Sequence, residues 1–265
     1  MKIAALQMVS VPEVGRNLEA AARLIAEAAA AGAALVALPE YFCLLGRKDS
    51  DKLAIAEAPG DGPIQSFLAG SAREHGLWLI GGTLPIRAEG GRVLNSNCVY
   101  APDGTLAARY DKIHLFAYDN GKEQYDEGRT LLAGSTPVAV QAGALRVGLS
   151  VCYDLRFPEL YRALMQPPCD LISVPSAFTY TTGRAHWELL LRTRAVENQC
   201  YVIAAAQGGT HENGRRTWGH SMVVDPWGEI VAVKDEGEGV VLAELDSERI
   251  AQVRLQLPAL KHRRL

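Results

Sequence analysis

Three side chains far apart in the chain stand at the same kind of position, the far end of a short apolar run. Glu40 follows Ala34-Leu35-Val36-Ala37-Leu38 with Pro39 between. Lys112 follows Leu106-Ala107-Ala108-Arg109-Tyr110-Asp111, and Cys152 follows Leu145-Arg146-Val147-Gly148-Leu149-Ser150-Val151. A cysteine is a nucleophile as its thiolate, which an ammonium or a helix N-terminus favours by placing positive charge beside the sulfur. A helix signal, Phe157-Pro158-Glu159-Leu160, comes just after Cys152, so its thiolate is expected to be favoured. Each residue alone has a plainer reading. A lone cysteine is most often a small buried hydrophobe, a strand-end lysine is often solvated, and Pro39-Glu40 would suit a surface loop. The three together argue for a site.

Such groups converge when strands end on one rim, where layered α/β folds form their ligand sites. Short apolar runs predict strands over 2–7, 34–38, 77–82, 97–101, 106–110, 138–141, 146–151, 171–174, 201–206, 221–224, 230–233 and 240–244. Helices are predicted over 17–31, stopped by Gly32, over 63–75, stopped by Gly76, and over 157–165 and 186–199. Pro102-Asp103-Gly104 and Asp225-Pro226-Trp227-Gly228 read as hairpin turns. Hairpins and strand–helix–strand units together predict an α/β fold with a mixed sheet, or two sheets face to face between helices. No linker or repeat divides the chain, so one domain over 1–265 is expected.

The chain has 265 residues, 48% hydrophobic and 22% charged, enough to bury a sizeable core. A net charge of −3 gives no general attraction for nucleic acid or anionic lipid, so neither is expected as a partner. No apolar run reaches the roughly 18 residues of a membrane span. The start, interrupted at Gln7, reads as a first strand rather than a signal peptide. Five scattered cysteines without Cys-x-x-Cys argue against a disulfide framework or a structural zinc and point to a reducing cytoplasm. His211-Glu212 is too little for a metal site, and no phosphate loop occurs.

Leu38-Pro39-Glu40, Tyr110-Asp111-Lys112-Ile113-His114-Leu115 and Val151-Cys152-Tyr153-Asp154-Leu155-Arg156-Phe157-Pro158-Glu159-Leu160 occur in that order. Together they resemble the motifs of the nitrilase, or carbon–nitrogen hydrolase, superfamily, and the likeness runs from Met1 to near the C-terminus. The resemblance implies a four-layer αββα sandwich, paired as a homodimer or built into a higher homo-oligomer. Thr181-Thr182-Gly183, Ala185-His186-Trp187-Glu188, 194–202 and 219–228 are similar to the Nit branch. That branch implies one of two activities. One hydrolyses deaminated glutathione to 2-oxoglutarate and cysteinylglycine. The other is an omega-amidase acting on 2-oxoglutaramate or 2-oxosuccinamate. The segments 199–207 and 258–264 favour the first.

By the same resemblance Glu40, Lys112 and Cys152 form the catalytic triad. Glu40 is the implied general base, Cys152 the nucleophile that forms a thioester, and Lys112 the oxyanion stabiliser, helped by the backbone N–H of Tyr153. Glu127 is the implied support for the lysine, with Glu123 the weaker choice. No metal or organic cofactor is implied, and the partner is a small-molecule amide substrate. Its acidic acyl end calls for a cationic or N–H-rich pocket, for which Arg184 and Tyr153 are the candidates. Arg156 is expected to be structural, paired with Glu159. Arg184 stands where these enzymes commonly have proline, and 116–128 also departs from the branch. Three rivals stay open: a nitrilase, a Cys–His hydrolase using His114, His186 or His220, and a non-catalytic scaffold.

Overall fold

The computed structural model of the protein describes residues 1–121 and 124–264. Strand β1 (Lys2–Gln7) is buried beyond its first residue and alternates its faces, as a strand must. Ile3 and Ala5 enter the space between two sheets, whereas Ala4 and Leu6 pack outward on helices. Helix α1 (Val14–Ala30) leads to β2 (Leu35–Ala37), and the short α2 (Asp51–Ala54) and α3 (Pro63–His75) lead to β3 (Trp78–Ile80). These three strands pair in parallel. Gly76 takes the left-handed conformation at the end of α3, and its N–H reaches the Ala72 carbonyl. Strands β4 (Leu84–Arg87), β5 (Val93–Tyr100) and β6 (Leu106–Asp111) then join antiparallel. The turn at Pro102-Asp103-Gly104 connects β5 to β6, as expected.

A small hairpin, β7 (Ala117–Asp119) with β8 (Gln124–Asp126), precedes the second sheet. That sheet contains β9 (Val138–Ala142), β10 (Leu145–Leu149), β11 (Leu171–Ser173) and β12 (Tyr201–Ala204). Helices α4 (Pro158–Leu164) and α5 (Tyr180–Asn198) are the crossovers, so β10, β11 and β12 run parallel. A second hairpin, β13 (Gly208–Thr210) with β14 (Arg216–Trp218), stands apart from both sheets. Strands β15 (Ser221–Val224) and β16 (Ile230–Lys234) close the second sheet across the Asp225–Gly228 turn. Strand β17 (Gly239–Glu244) crosses back to pair antiparallel with β1, ahead of α6 (Ser247–Gln256).

The layers follow from where the apolar side chains go. Leu24 and Ile25 of α1 and Leu68 of α3 cover the outer face of the first sheet. Trp187 and Leu191 of α5 and Leu160 of α4 belong to the core of the second. Between the sheets lie Ile3, Ala37 and Val99 from one and Val147, Leu171 and Ile203 from the other. This is the αββα sandwich.

Candidate active site

Glu40 comes from the end of β2. The sheet bonding continues one residue past that strand, with Leu38 N–H donating to Ile80 O at 2.9 Å. The chain then turns sharply against Gly82, whose φ is +57° and whose Cβ, if it had one, would lie 2.2 Å from the Pro39 carbonyl oxygen. Only glycine allows that approach. Tyr41 is itself left-handed at φ 56° and is pinned by its N–H to Thr83 Oγ1 at 2.9 Å. Lys112 follows β6, which is antiparallel to β5 as β5 is to β3. Two reversals make β6 run with β2 and β3, so its end lies on the same rim.

Cys152 continues the second sheet before it breaks away. Ser150 N–H donates to Ser173 O at 3.1 Å and Cys152 N–H to Pro175 O at 2.9 Å. Cys152 then adopts φ 50° and opens the 3-10 turn Cys152–Arg156. A non-glycine residue held at positive φ is strained and needs fixing from outside. Asp154 supplies it. Fully buried, its carboxylate accepts from Val151 N–H at 2.8 Å, His114 N–H at 3.0 Å and the Tyr110 hydroxyl at 2.7 Å. His114 Nδ1 is also 2.7 Å away. The bend that presents the thiol is thereby tied to β6, the strand that presents Lys112.

The four groups meet in a buried cluster. Lys112 Nζ lies 2.9 Å from Glu40 Oε1 and 3.0 and 2.8 Å from the two oxygens of Glu127. Glu40 also accepts from Asn95 Nδ2 at 2.9 Å and from the backbone N–H of Ala177 at 3.0 Å. Glu127 accepts from the Tyr41 hydroxyl at 2.8 Å and from Phe116 N–H at 2.7 Å. The Cys152 thiol lies near enough to Glu40 for each to act on the other's charge. One ammonium faces two carboxylates out of water, and the charges settle accordingly. Burial pulls Lys112 down, but Glu127 and Glu40 outweigh it and hold the ammonium well above the ordinary lysine value. Burial pushes Glu127 up, yet Lys112 prevails and keeps it below the usual range. For Glu40 burial prevails: with Glu127 adding its push against Lys112, the carboxyl sits above the ordinary range. Burial and the adjacent Glu40 push the Cys152 thiol well above its usual value, despite Lys112. The expectation of a favoured thiolate is therefore overturned. The resting group is a thiol beside a carboxyl that can take its proton, and Cys152 starts a 3-10 turn that stands between it and α4, the helix expected to follow.

The thiol opens into a narrow cleft walled by Tyr41, Phe116, Tyr153, Phe178, Arg156 and Arg215, among others. Tyr41, Leu45, Phe116, Glu127 and Arg215 also border a wider outer groove. Tyr153 is the second residue of the 3-10 turn, so its N–H has no acceptor within that turn. Its ring meets Phe116 edge-on at 5.2 Å. Arg184 is not in this cleft. It is exposed on the outer face of α5, where it lines a separate cavity with Glu188, Leu189 and Trp227. It sits in the first turns of α5, a helix that begins at Tyr180, so its side chain projects outward while Thr179 and Thr182 face the thiol. The expected pairing of Arg156 with Glu159 is likewise absent among the described residues. The Arg156 guanidinium lies over the Tyr153 and Phe178 rings and 3.3 Å from His186 Nδ1. Glu123 lies outside the described residues. Sequence reasoning missed Asn95, Tyr41 and Arg215. Asn95 falls in a polar stretch, Asn95-Ser96-Asn97, that hides the first half of β5, and no local signal marks Arg215.

The family model described as carbon-nitrogen hydrolase matches residues 2–255. A deaminated glutathione amidase of Synechocystis is 43% identical over 98% of this chain and 97% of its own length. An omega-amidase NIT2 of Xenopus tropicalis is 39% identical over 99% of this chain and 95% of its own length. The crystal structure of the C. elegans NitFhit protein superposes with a TM-score of 0.92 at 39% identity, covering 99% of this chain; the chain spans 65% of that protein. The chain belongs to the carbon–nitrogen hydrolase family and is an enzyme of that class, an amidase.

Proposed function

We propose that the protein hydrolyses deaminated glutathione to 2-oxoglutarate and cysteinylglycine, with Cys152 as nucleophile, Glu40 as general base and Lys112 as oxyanion stabiliser. The observation that carries the mechanism is the buried Glu40–Lys112–Glu127 cluster against the Cys152 thiol. Glu40 takes the thiol proton as sulfur attacks the amide carbon, and the oxyanion forms against Lys112 and the Tyr153 N–H. The C–N bond breaks as Glu40 returns the proton to the leaving amine. Water then loses a proton to Glu40 and attacks the thioester, and the thiol is restored as 2-oxoglutarate departs. Glu127 keeps Lys112 charged and aimed.

The substrate reading rests on room and charge. The thiol cleft continues into the wide outer groove, which suits a dipeptide leaving group better than ammonia. Arg156, free of any carboxylate partner among the described residues, offers a cation for the acidic acyl end, together with Tyr153. The 43% identity to the Synechocystis enzyme supports the same choice. The decisive measurement compares kcat/KM for deaminated glutathione and 2-oxoglutaramate on one preparation. A preference for deaminated glutathione is expected; equal or inverted values would replace this substrate by the omega-amide and leave the mechanism standing. Mass spectrometry of the trapped acyl-enzyme is expected to place the 2-oxoglutaryl group on Cys152, and finding it on another cysteine would end the mechanism.

The protein is further proposed to act as a homodimer in the cytoplasm. All five cysteines are free and buried, and the reaction needs one of them as a thiol, which a reducing compartment supplies.

A further inference from the structure

The cleft has a second arginine whose placement differs from that of Arg156. Arg215 borders both the thiol cleft and the outer groove, where a leaving group would pass from one to the other. The turn between β13 and β14 holds its backbone: His211 N–H donates to Arg215 O at 2.8 Å, and Arg215 N–H donates to Asn213 Oδ1 at 2.9 Å. Asn213 in turn donates to Gly46 O at 2.7 Å, across the mouth of the groove. The guanidinium lies 4.9 Å from the centre of the Tyr125 ring, and no carboxylate among the described residues forms an ion pair with it. Of the other groove cations, Lys52 pairs with Asp49 at 2.6 Å and Arg129 with Asp126 at 3.2 Å, while Arg47 and Lys48 line the outer groove but not the thiol cleft.

We propose that Arg215 binds the carboxylate that ends the leaving group, and so sets the preference for a peptide amine over ammonia. The inference rests on the reading of deaminated glutathione as substrate. That substrate has an anion at each end, the 2-oxo acid on the acyl side and the glycine carboxylate on the amine side. The acyl end must stay beside Cys152, in the cleft that Arg156 lines. Two residues of extended chain span at most roughly 7 Å, so the glycine carboxylate lies that close to the scissile nitrogen. Of the two arginines in the cleft, Arg215 is the one that also faces the outer groove. A planar guanidinium forms a forked pair of hydrogen bonds with a carboxylate, and a carboxamide in its place loses the charge that makes the pair strong. An ammonia-releasing substrate has nothing to offer Arg215.

The test is a cycle of two changes read as kcat/KM on the full chain. One change is R215Q; the other caps the glycine carboxylate of deaminated glutathione as its amide. Each alone is expected to cost about tenfold, chiefly through KM, because each removes one side of the same charge-assisted contact. Both together are expected to cost no more than either. R215K, which keeps the charge without the fork, is expected to recover part of the loss. The ratio of kcat/KM for deaminated glutathione to that for 2-oxoglutaramate should fall about tenfold in R215Q, a reading independent of the folded fraction. Losses that multiply, or an unchanged ratio in R215Q, would overturn the role of Arg215 while the substrate reading survives. A wild type that turns over 2-oxoglutaramate but not deaminated glutathione would overturn both.

Discussion

Lys112 shares its ammonium between two carboxylates, and this division assigns the two glutamates different work. Glu127 holds both of its oxygens on the ammonium and stays ionised, whereas Glu40 bonds it with one oxygen and also contacts the thiol. Removing either end of this arrangement should stop turnover. E40Q and K112A are expected to lower kcat at least about a thousandfold, the order at which a general base and an oxyanion donor each act. Alanine at His114, His186 or His220 should leave measurable turnover, and the opposite pattern would replace this mechanism by a Cys–His one. The pH profile tests the electrostatics further. In the proposed mechanism Glu40 serves as a base only when ionised, so kcat/KM is expected to fall as pH drops through its folded pKa. That pKa is raised, which puts the acid limb above the ordinary glutamate value of about 4.3. Glu127 contributes to the rise, so E127Q should move the limb to lower pH even as kcat falls. A limb that stays put or moves up would remove Glu127 from this account.

At the scale of elements, the site depends on bends that leave two different sheets at one rim. Asp154 is the tie between the Cys152 bend and β6, and all of its neighbours are donors: Val151 N–H, His114 N–H and the Tyr110 hydroxyl. D154N turns an N–H₂ toward one of those donors, leaving a buried group unpaired at a cost of about 2–3 kcal/mol. Thermal or denaturant unfolding should show that loss together with reduced kcat; a variant as stable as the wild type would mean the bend holds itself. The elements that were legible in the sequence are those whose local chemistry matches their final state. β1, α3, β15 and both predicted hairpin turns have a continuous apolar run, a glycine stop or turn residues at the right spacing. Some of those missed carry a local contradiction that tertiary contacts resolve, whereas α6, capped by Asp246, has ordinary helix chemistry and still was not expected. β4 contains Pro85, and the beginning of α5 contains Gly183. That glycine is required by packing, since a Cβ there would lie 2.2 Å from Trp218 Cβ. The cluster was legible because Glu40, Lys112 and Cys152 sit beside recognisable strands and motifs. Asn95, Arg156 and Arg215 gain their meaning only from neighbours distant in sequence, and Arg184 misled because its motif lies in the helix but its side chain points outward.

At the scale of the whole molecule, the outer face of α5 carries an exposed apolar group that suits the proposed homodimer. Leu189 is 66% exposed, Val196 48% and Trp227 51%, and all three border one open depression on that face. Arg184 and Arg192 lie around them, an apolar centre with a charged rim of the kind that marks interfaces. α5 is also the element whose inner face carries Thr182 into the thiol cleft. A second copy docked there would press on the same helix that shapes the site. The expected consequence is that L189E combined with V196E halves the solution mass measured by light scattering and raises KM. Charges placed at the centre of an apolar contact are costly to bury, while on a solvated face they cost little. An unchanged mass in a folded double variant would move the dimer contact elsewhere on the surface. A halved mass with unchanged KM would keep the contact and separate it from the site.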